Sequence, residues 1–217
     1  VPHTEVDLLL VNGESMDFAY QVQQGDRISV YPPFRTLDVS SVSHVRPPAL
    51  DEMRFVLDAH LGTLASHLRM LGFDTLYRND YDDSTLATIS AGERRILLTR
   101  DRGLLKRRQV EYGYHVWATD PDQQVVEVLR RYRLFDAVAP FRRCMRCNAL
   151  LERVEKAAVE HLLEPKTRLY YDEFARCAAC DRVYWKGSHF EKMQRLVARW
   201  LAAPAAVPAS SISPPWQ

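Results

Sequence analysis

The chain has 217 residues, 47% of them hydrophobic and 26% charged, with a formal net charge of +1. That composition excludes a disordered or fibrous chain and suits one to three small globular domains. No apolar run approaches the roughly 18 residues of a membrane span, and no secretory signal precedes the first strand pattern, so a cytoplasmic protein without a membrane partner is expected.

Val1, not Met, opens the chain, and the first unit, residues 1–46, is expected to be incomplete. Asp7–Val11 reads as an apolar strand, and Asn12-Gly13 as a tight hairpin turn. Phe18–Val22 alternates only weakly. Gly25-Asp26 marks a second turn before Arg27–Tyr31, a period-2 strand ended by Pro32-Pro33. The wording LLLVNGE, then QQGDRISVYPP, resembles the C-terminal half of a sulfur-carrier-type ubiquitin-like fold. The Gly-Gly tail that such carriers activate is absent, which points to a protein-docking module and away from sulfur chemistry. Residues 47–52, opening on a proline pair, read as a stiff linker.

Residues 53–139 alternate strand and helix signals, which implies a mostly parallel α/β sheet flanked by helices. Phe55-Val56-Leu57 is a short buried strand ending at Asp58. Leu61, Leu64, Ala65, Leu68 and Leu71 recur at helical spacing, and Gly72 stops that helix. Phe73–Tyr77 is a second strand. Asp82 or Asp83 caps the next helix, with Gly92 expected to end it. Arg95–Thr99 is a third strand, followed by Asp101 and a short basic helix over Arg102–Arg108. His115–Ala118 reads as a fourth strand, and Asp120-Pro121 starts a helix with its apolar face at Val125, Val126, Leu129 and Tyr132.

Ligands of open α/β sheets bind beyond the carboxyl ends of the strands. Asp58 and Asp101 occupy such ends, and Asp80-Tyr81-Asp82-Asp83 adds an acidic knot between them. Acids gathered at one spot repel unless a cation lies among them. The pattern therefore suggests a divalent-metal site of a phosphodiester-cleaving enzyme; a single strand-end Asp, by contrast, is ordinarily a helix cap. Asp120 is a third strand-end acid, fully accounted for as a cap. Charge is uneven: residues 1–40 are acidic, whereas Arg94, Arg95, Arg100, Arg102, Lys106, Arg107 and Arg108 face Asp101 alone within 94–108. This suits a polyanion partner for the later part of the chain.

The last unit, residues 140–202, holds all four cysteines as Cys144-Met145-Arg146-Cys147 and Cys177-Ala178-Ala179-Cys180. Two such knuckles supply four thiolates to one structural, tetrahedral Zn²⁺. The insert between them is expected to carry a helix near Glu155–Leu163. Tyr184, Trp185 and Lys186 suit either stacking on RNA or the ribbon core. Phe190–Leu201 is an amphipathic closing helix, and residues 203–217, with four prolines and Trp216, read as disordered.

The stretches VLDAHLGTLASHLRMLGFDTLYRNDYDD, ILLTRDRGLLKRR, RCMRCN and CDRVYWKGSHFEKM together resemble the Mut-seven C-terminal RNase family. That resemblance implies a PIN-like nuclease domain, a C-terminal zinc ribbon and, in bacterial members, a ubiquitin-like unit in front. It implies a metal-dependent ribonuclease using Mg²⁺ or Mn²⁺. By position, Asp58 and Asp101 are the first and third acids and Asp120 the place of a weaker fourth. The middle acid falls among Asp80, Asp82 and Asp83, with Asp83 favoured and Asp80 next. Arg100 and Arg102, with Lys106 and Arg107, are the candidate RNA contacts. The sequence also allows two other readings: a non-catalytic RNA- or ribosome-binding adaptor, and a toxin-like nuclease silenced by a partner at the N-terminal unit.

Overall fold

The computed structural model describes residues 1–34 and 37–203; the expected disorder of the tail, and Trp216 with it, lies outside the described residues. In chain order the elements are β1 (Leu8–Val11), β2 (Glu14–Ser15), β3 (Ile28–Tyr31), β4 (Phe55–Leu57), α1 (Gly62–Met70), β5 (Thr75–Tyr77), α2 (Asp83–Glu93), β6 (Ile96–Thr99) and β7 (Gly113–His115). They continue with α3 (Pro121–Arg131), β8 (Leu151–Val154), α4 (Lys156–Val159), α5 (Pro165–Tyr170), β9 (Phe174–Cys177), β10 (Val183–Trp185) and α6 (Ser188–Leu201). Two compact units result, one of residues 1–62 and 77–115, the other of residues 63–76 and 116–217. Among the described residues no helix is long and apolar enough to cross a membrane.

In the first unit, β1 pairs antiparallel with β2 and β3, giving a small sheet of order β2-β1-β3. Val11 opposite Glu14 leaves Asn12 and Gly13 as a two-residue turn, both at positive φ (54° and 94°). That is the geometry an Asn-Gly hairpin requires, because its twist matches the flanking strands. Val6, Val11 and Val39 are buried, while β3 is exposed along its length, so this sheet has little core of its own. Buried Asp7 ties the following segment back: it accepts from the Phe34 N–H at 2.8 Å and pairs with Arg46.

The larger sheet has the order β5-β4-β6-β7. Its β4/β6 and β6/β7 pairs are parallel, with Leu57 opposite Leu98 and Thr99 opposite His115. Every residue of β4 and β6 is buried, as expected of a parallel sheet covered on both faces. Helix α2 packs against these two strands. Three local expectations are corrected. Helix α2 runs through Gly92, and Arg94, at φ 49°, is its left-handed C-cap. The corner is locked by Ser90, whose carbonyl accepts from the Arg95 N–H at 3.0 Å and whose hydroxyl donates to the Arg95 carbonyl at 2.8 Å. The basic stretch after Asp101 makes one 3₁₀ turn, Leu104–Lys106, pinned by buried Leu104 and Leu105. The fourth strand ends at His115, because the N–H groups of Trp117 and Ala118 donate to the Glu127 carboxylate, both at 2.9 Å, and so leave the ladder.

In the second unit, α1 ends in a paired cap, with Gly72 N–H donating to the Arg69 carbonyl and Phe73 N–H to that of Leu68, both at 3.0 Å. Gly72 sits at φ +95°, and a Cβ there would lie 2.1 Å from the Ala139 carbonyl oxygen, so glycine is obligatory. Asp120 caps α3 through the Gln123 N–H, with Pro121 in the first turn. The closing helix α6 buries Val197 and Trp200. The Trp200 indole N–H donates to Asp122 at 3.1 Å, Arg199 pairs with the same carboxylate, and the ring lies 4.7 Å from that of His67 on α1.

Burial holds the His67 imidazole below its ordinary value of 6.5, opposed by the Asp122 carboxylate. The unfolded chain therefore binds that proton more readily, and stability falls as pH drops below 6.5. His67→Phe should flatten the loss of Tm on the acid side of 6.5; an unchanged profile in thermal melts would remove His67 as its source.

Candidate metal centres

The first candidate centre lies where the large sheet reverses its direction of growth. The chain passes from β4 outward to β5, then back across β4 to β6, which makes the β4/β6 junction the switch point. Asp58 and Asp101 follow these two adjacent strands. Asp58 extends the ladder by donating its N–H to the Leu98 carbonyl at 3.1 Å. Its carbonyl starts the 3₁₀ turn Ala59–Leu61, but its side chain makes no capping bond. The carboxylate instead accepts from the Thr99 hydroxyl at 2.7 Å, and that oxygen accepts from the Asp101 N–H at 2.9 Å. Asp101 is held in turn by the Gly103 N–H, at 2.6 Å on one carboxylate oxygen. One fully buried hydroxyl therefore stands between the two acids.

Asp58 is only 8% exposed. Among the described residues no basic side chain forms an ion pair with Asp58 or Asp101. A carboxyl group so far out of water, with one neutral donor, keeps lone pairs that a cation could take. The acidic knot divides its labour. Asp80 is gripped on both oxygens by Arg78, at 2.8 and 2.6 Å, and this holds its carboxyl below the usual range. Asp82 caps α2 by accepting the Thr85 N–H at 2.7 Å, which lowers its carboxyl likewise. Asp83, in the first turn of α2, makes a half-exposed ion pair with Arg107 at 3.3 Å. Asp58, Asp83 and Asp101 are not drawn together as closely as the cysteines described below: among the described residues only those form a group of three or more potential ligands all within 4.8 Å. Asp120 lies in the other unit as a helix cap. Arg100, Arg102, Lys106 and Arg107 are all exposed. The bond from Thr99 to Asp58 was not legible from the chain, because it requires the β4/β6 register.

The second centre is the cysteine tetrad. β8, β9 and β10 form an antiparallel sheet of order β10-β9-β8, with one knuckle before β8 and the other running from the last residue of β9 into the turn before β10. The four sulfurs all lie within 4.8 Å of one another, at 3.6 Å for Cys144–Cys180 and 3.3 Å for Cys147–Cys177, and none is in a disulfide. Zn–S bonds of about 2.3 Å place tetrahedral sulfurs about 3.8 Å apart, so the tetrad fits that ion. Burial raises the Cys144 thiol, yet the Tyr184 hydroxyl and the Cys147 and Arg146 N–H groups outweigh it and bring it down to about 6. Burial and the surrounding sulfurs push Cys147 up to about 12. The Tyr184 hydroxyl lies 3.1 Å from the Cys144 sulfur, and Lys186 is paired with Glu173, so of the three residues proposed for RNA stacking Tyr184 belongs to the tetrad's surroundings. The insert carries α4, α5 and a small core of Val159, Leu163 and Phe174.

Residues 53–197, well over half of the chain, match the family model described as Mut7-C RNAse domain, and residues 1–38 match that described as Mut7-C ubiquitin. No curated protein and no solved structure matches the chain.

Proposed function

The chain belongs to the Mut7-C RNAse domain family, and on that premise we propose that it hydrolyses RNA phosphodiester bonds at a divalent-metal site held by Asp58, Asp83 and Asp101. The observation that carries the reading is the Thr99 hydroxyl, which donates to the Asp58 carboxylate and accepts the Asp101 N–H, while among the described residues no cationic side chain pairs with either acid. Carboxylates suit a hard ion such as Mg²⁺ or Mn²⁺, which when bound supplies a more acidic water and offsets charge on the leaving oxygen. The protein's part is positioning. Thr99 fixes one oxygen of Asp58 and leaves the other for the ion. The Gly103 N–H does the same for Asp101. Asp83, in the first turn of α2, would hold the ion in place of its contact with Arg107. Arg100, Arg102, Lys106 and Arg107 then meet the phosphates of the strand.

In this reading residues 53–139 are the nuclease domain, residues 140–202 a ribbon built on structural Zn²⁺, and residues 1–46 a docking module for a protein partner in the cytoplasm. Purified protein should cut a generic single-stranded RNA with Mn²⁺ and leave it whole with EDTA. The Asp83–Arg107 pair favours a second reading, an RNA-binding adaptor, since it leaves the third acid already neutralised; metal-independent RNA binding without turnover would select that one.

Thr99→Val tests the positioning. It keeps the shape but strips Asp58 of its donor and the Asp101 N–H of its acceptor. Titration should show Mn²⁺ binding weaker by about tenfold or more, with Thr99→Ser restoring it. Equal affinities in all three proteins would remove Thr99 from the site.

A further inference from the structure

The two cysteine knuckles have the same backbone but different anchoring. In each, the residue after the second cysteine sits at positive φ, Asn148 at 74° and Asp181 at 57°. Each sends its N–H back to the carbonyl of the first cysteine, at 2.9 and 2.8 Å. The Asp181 side chain then pairs with Arg176 at the surface of its own hairpin. The Asn148 side chain, in a residue only 7% exposed, does something else. Its amide oxygen accepts from the Thr75 N–H at 2.9 Å, and its amide nitrogen donates to Asp74 at 2.8 Å.

Arg69, also buried, reaches the same knuckle from α1. It donates to the Met145 and Arg146 carbonyls at 3.2 and 2.9 Å, and to the Thr75 carbonyl at 2.8 Å. The two residues between Cys144 and Cys147 are thus fixed by a side chain 76 and 77 positions away. Among the described residues no side chain donates to the carbonyls of the corresponding Ala178 and Ala179. A metal site gains affinity when the groups around its ligands hold them in place before binding.

We propose that Asn148, with Arg69 beneath it, presets the first knuckle, so that Cys144 and Cys147 form a ready half-site for Zn²⁺ and Cys177 and Cys180 close onto it. The proposal rests on the reading of the tetrad as a zinc site and is independent of the nuclease chemistry. Asn148 is a positioning residue in it, not a ligand.

Asn148→Gly tests it, because glycine keeps the positive φ and loses only the side-chain bonds. Competition of the full-length protein against a chromophoric chelator should show Zn²⁺ affinity lower by about tenfold or more, whereas Asp181→Gly should change it by less than about threefold. Equal losses in the two variants, or no loss in Asn148→Gly, would overturn the asymmetry. Should Asn148→Gly not fold, hydrogen exchange on the metal-stripped wild-type chain decides. Protection should persist over residues 142–149 and vanish over 176–182; equal exchange in both segments overturns the proposal. A wild-type chain that takes up no Zn²⁺ at all would instead defeat the zinc reading on which it stands.

Discussion

Asp58→Asn should lower Mn²⁺-dependent RNA cleavage by about a thousandfold, the scale on which removing one group that stabilises transition-state charge acts. The fold should survive. The amide oxygen of asparagine can still accept the Thr99 hydroxyl, and a neutral group at a position 8% exposed has less desolvation to bear than a carboxylate without a cation. Without metal, therefore, Asp58→Asn should melt no lower than wild type.

Metal separates the two proteins. A cation bound only by the native state adds about 2.7 kcal/mol at a hundred times its Kd. Mn²⁺ should thus raise the wild-type Tm and leave that of Asp58→Asn unmoved. Asp101→Asn should behave alike, since its amide oxygen keeps the Gly103 N–H. Asp82→Asn preserves the cap on α2 and Asp80→Asn loses only an exposed ion pair, so both should cleave near the wild-type rate. Cleavage retained in Asp58→Asn and Asp101→Asn together would refute the carboxylate-metal reading, and a lost rate in Asp82→Asn would move the middle acid there from Asp83.

What the chain disclosed and what it withheld follow one division. Features set within a few residues were legible. The Phe55–Leu57 and Ile96–Thr99 runs are apolar enough to be buried on both faces, Asn12-Gly13 can hardly make another turn, and Gly72 stops α1 where no other residue fits. The four cysteines announced their tetrad by spacing. Features decided by a distant partner were not legible. The fourth strand ends early because Glu127, ten residues beyond Trp117, takes that backbone's donors. Helix α2 passes Gly92 because Ser90 and Arg95 lock a later corner. The Thr99–Asp58 bond spans 41 residues and exists only in the observed register. Asp58 and Asp120 looked alike as strand-end acids, yet only Asp120 turned out to cap with its side chain.

Removal of zinc should cost the ribbon its fold beyond the preset first knuckle. Its buried cluster of Val159, Leu163 and Phe174 is far too small to order some sixty residues unaided, and domains of that kind need a metal or disulfides. Structural zinc in small finger peptides contributes roughly 10–16 kcal/mol near neutral pH. Cys177→Ser exchanges a buried sulfur for a hydroxyl that binds zinc poorly. It should therefore abolish stoichiometric zinc and expose the β8–β10 sheet. Trypsin should then cut at Arg153, Lys156, Arg168, Arg176 and Arg182, sites that resist it in the zinc-loaded protein. A strong chelator should give the same fragments from wild type. Identical digestion and circular dichroism with and without chelator would show that packing alone orders the ribbon, and would reduce the tetrad to four neighbouring thiols.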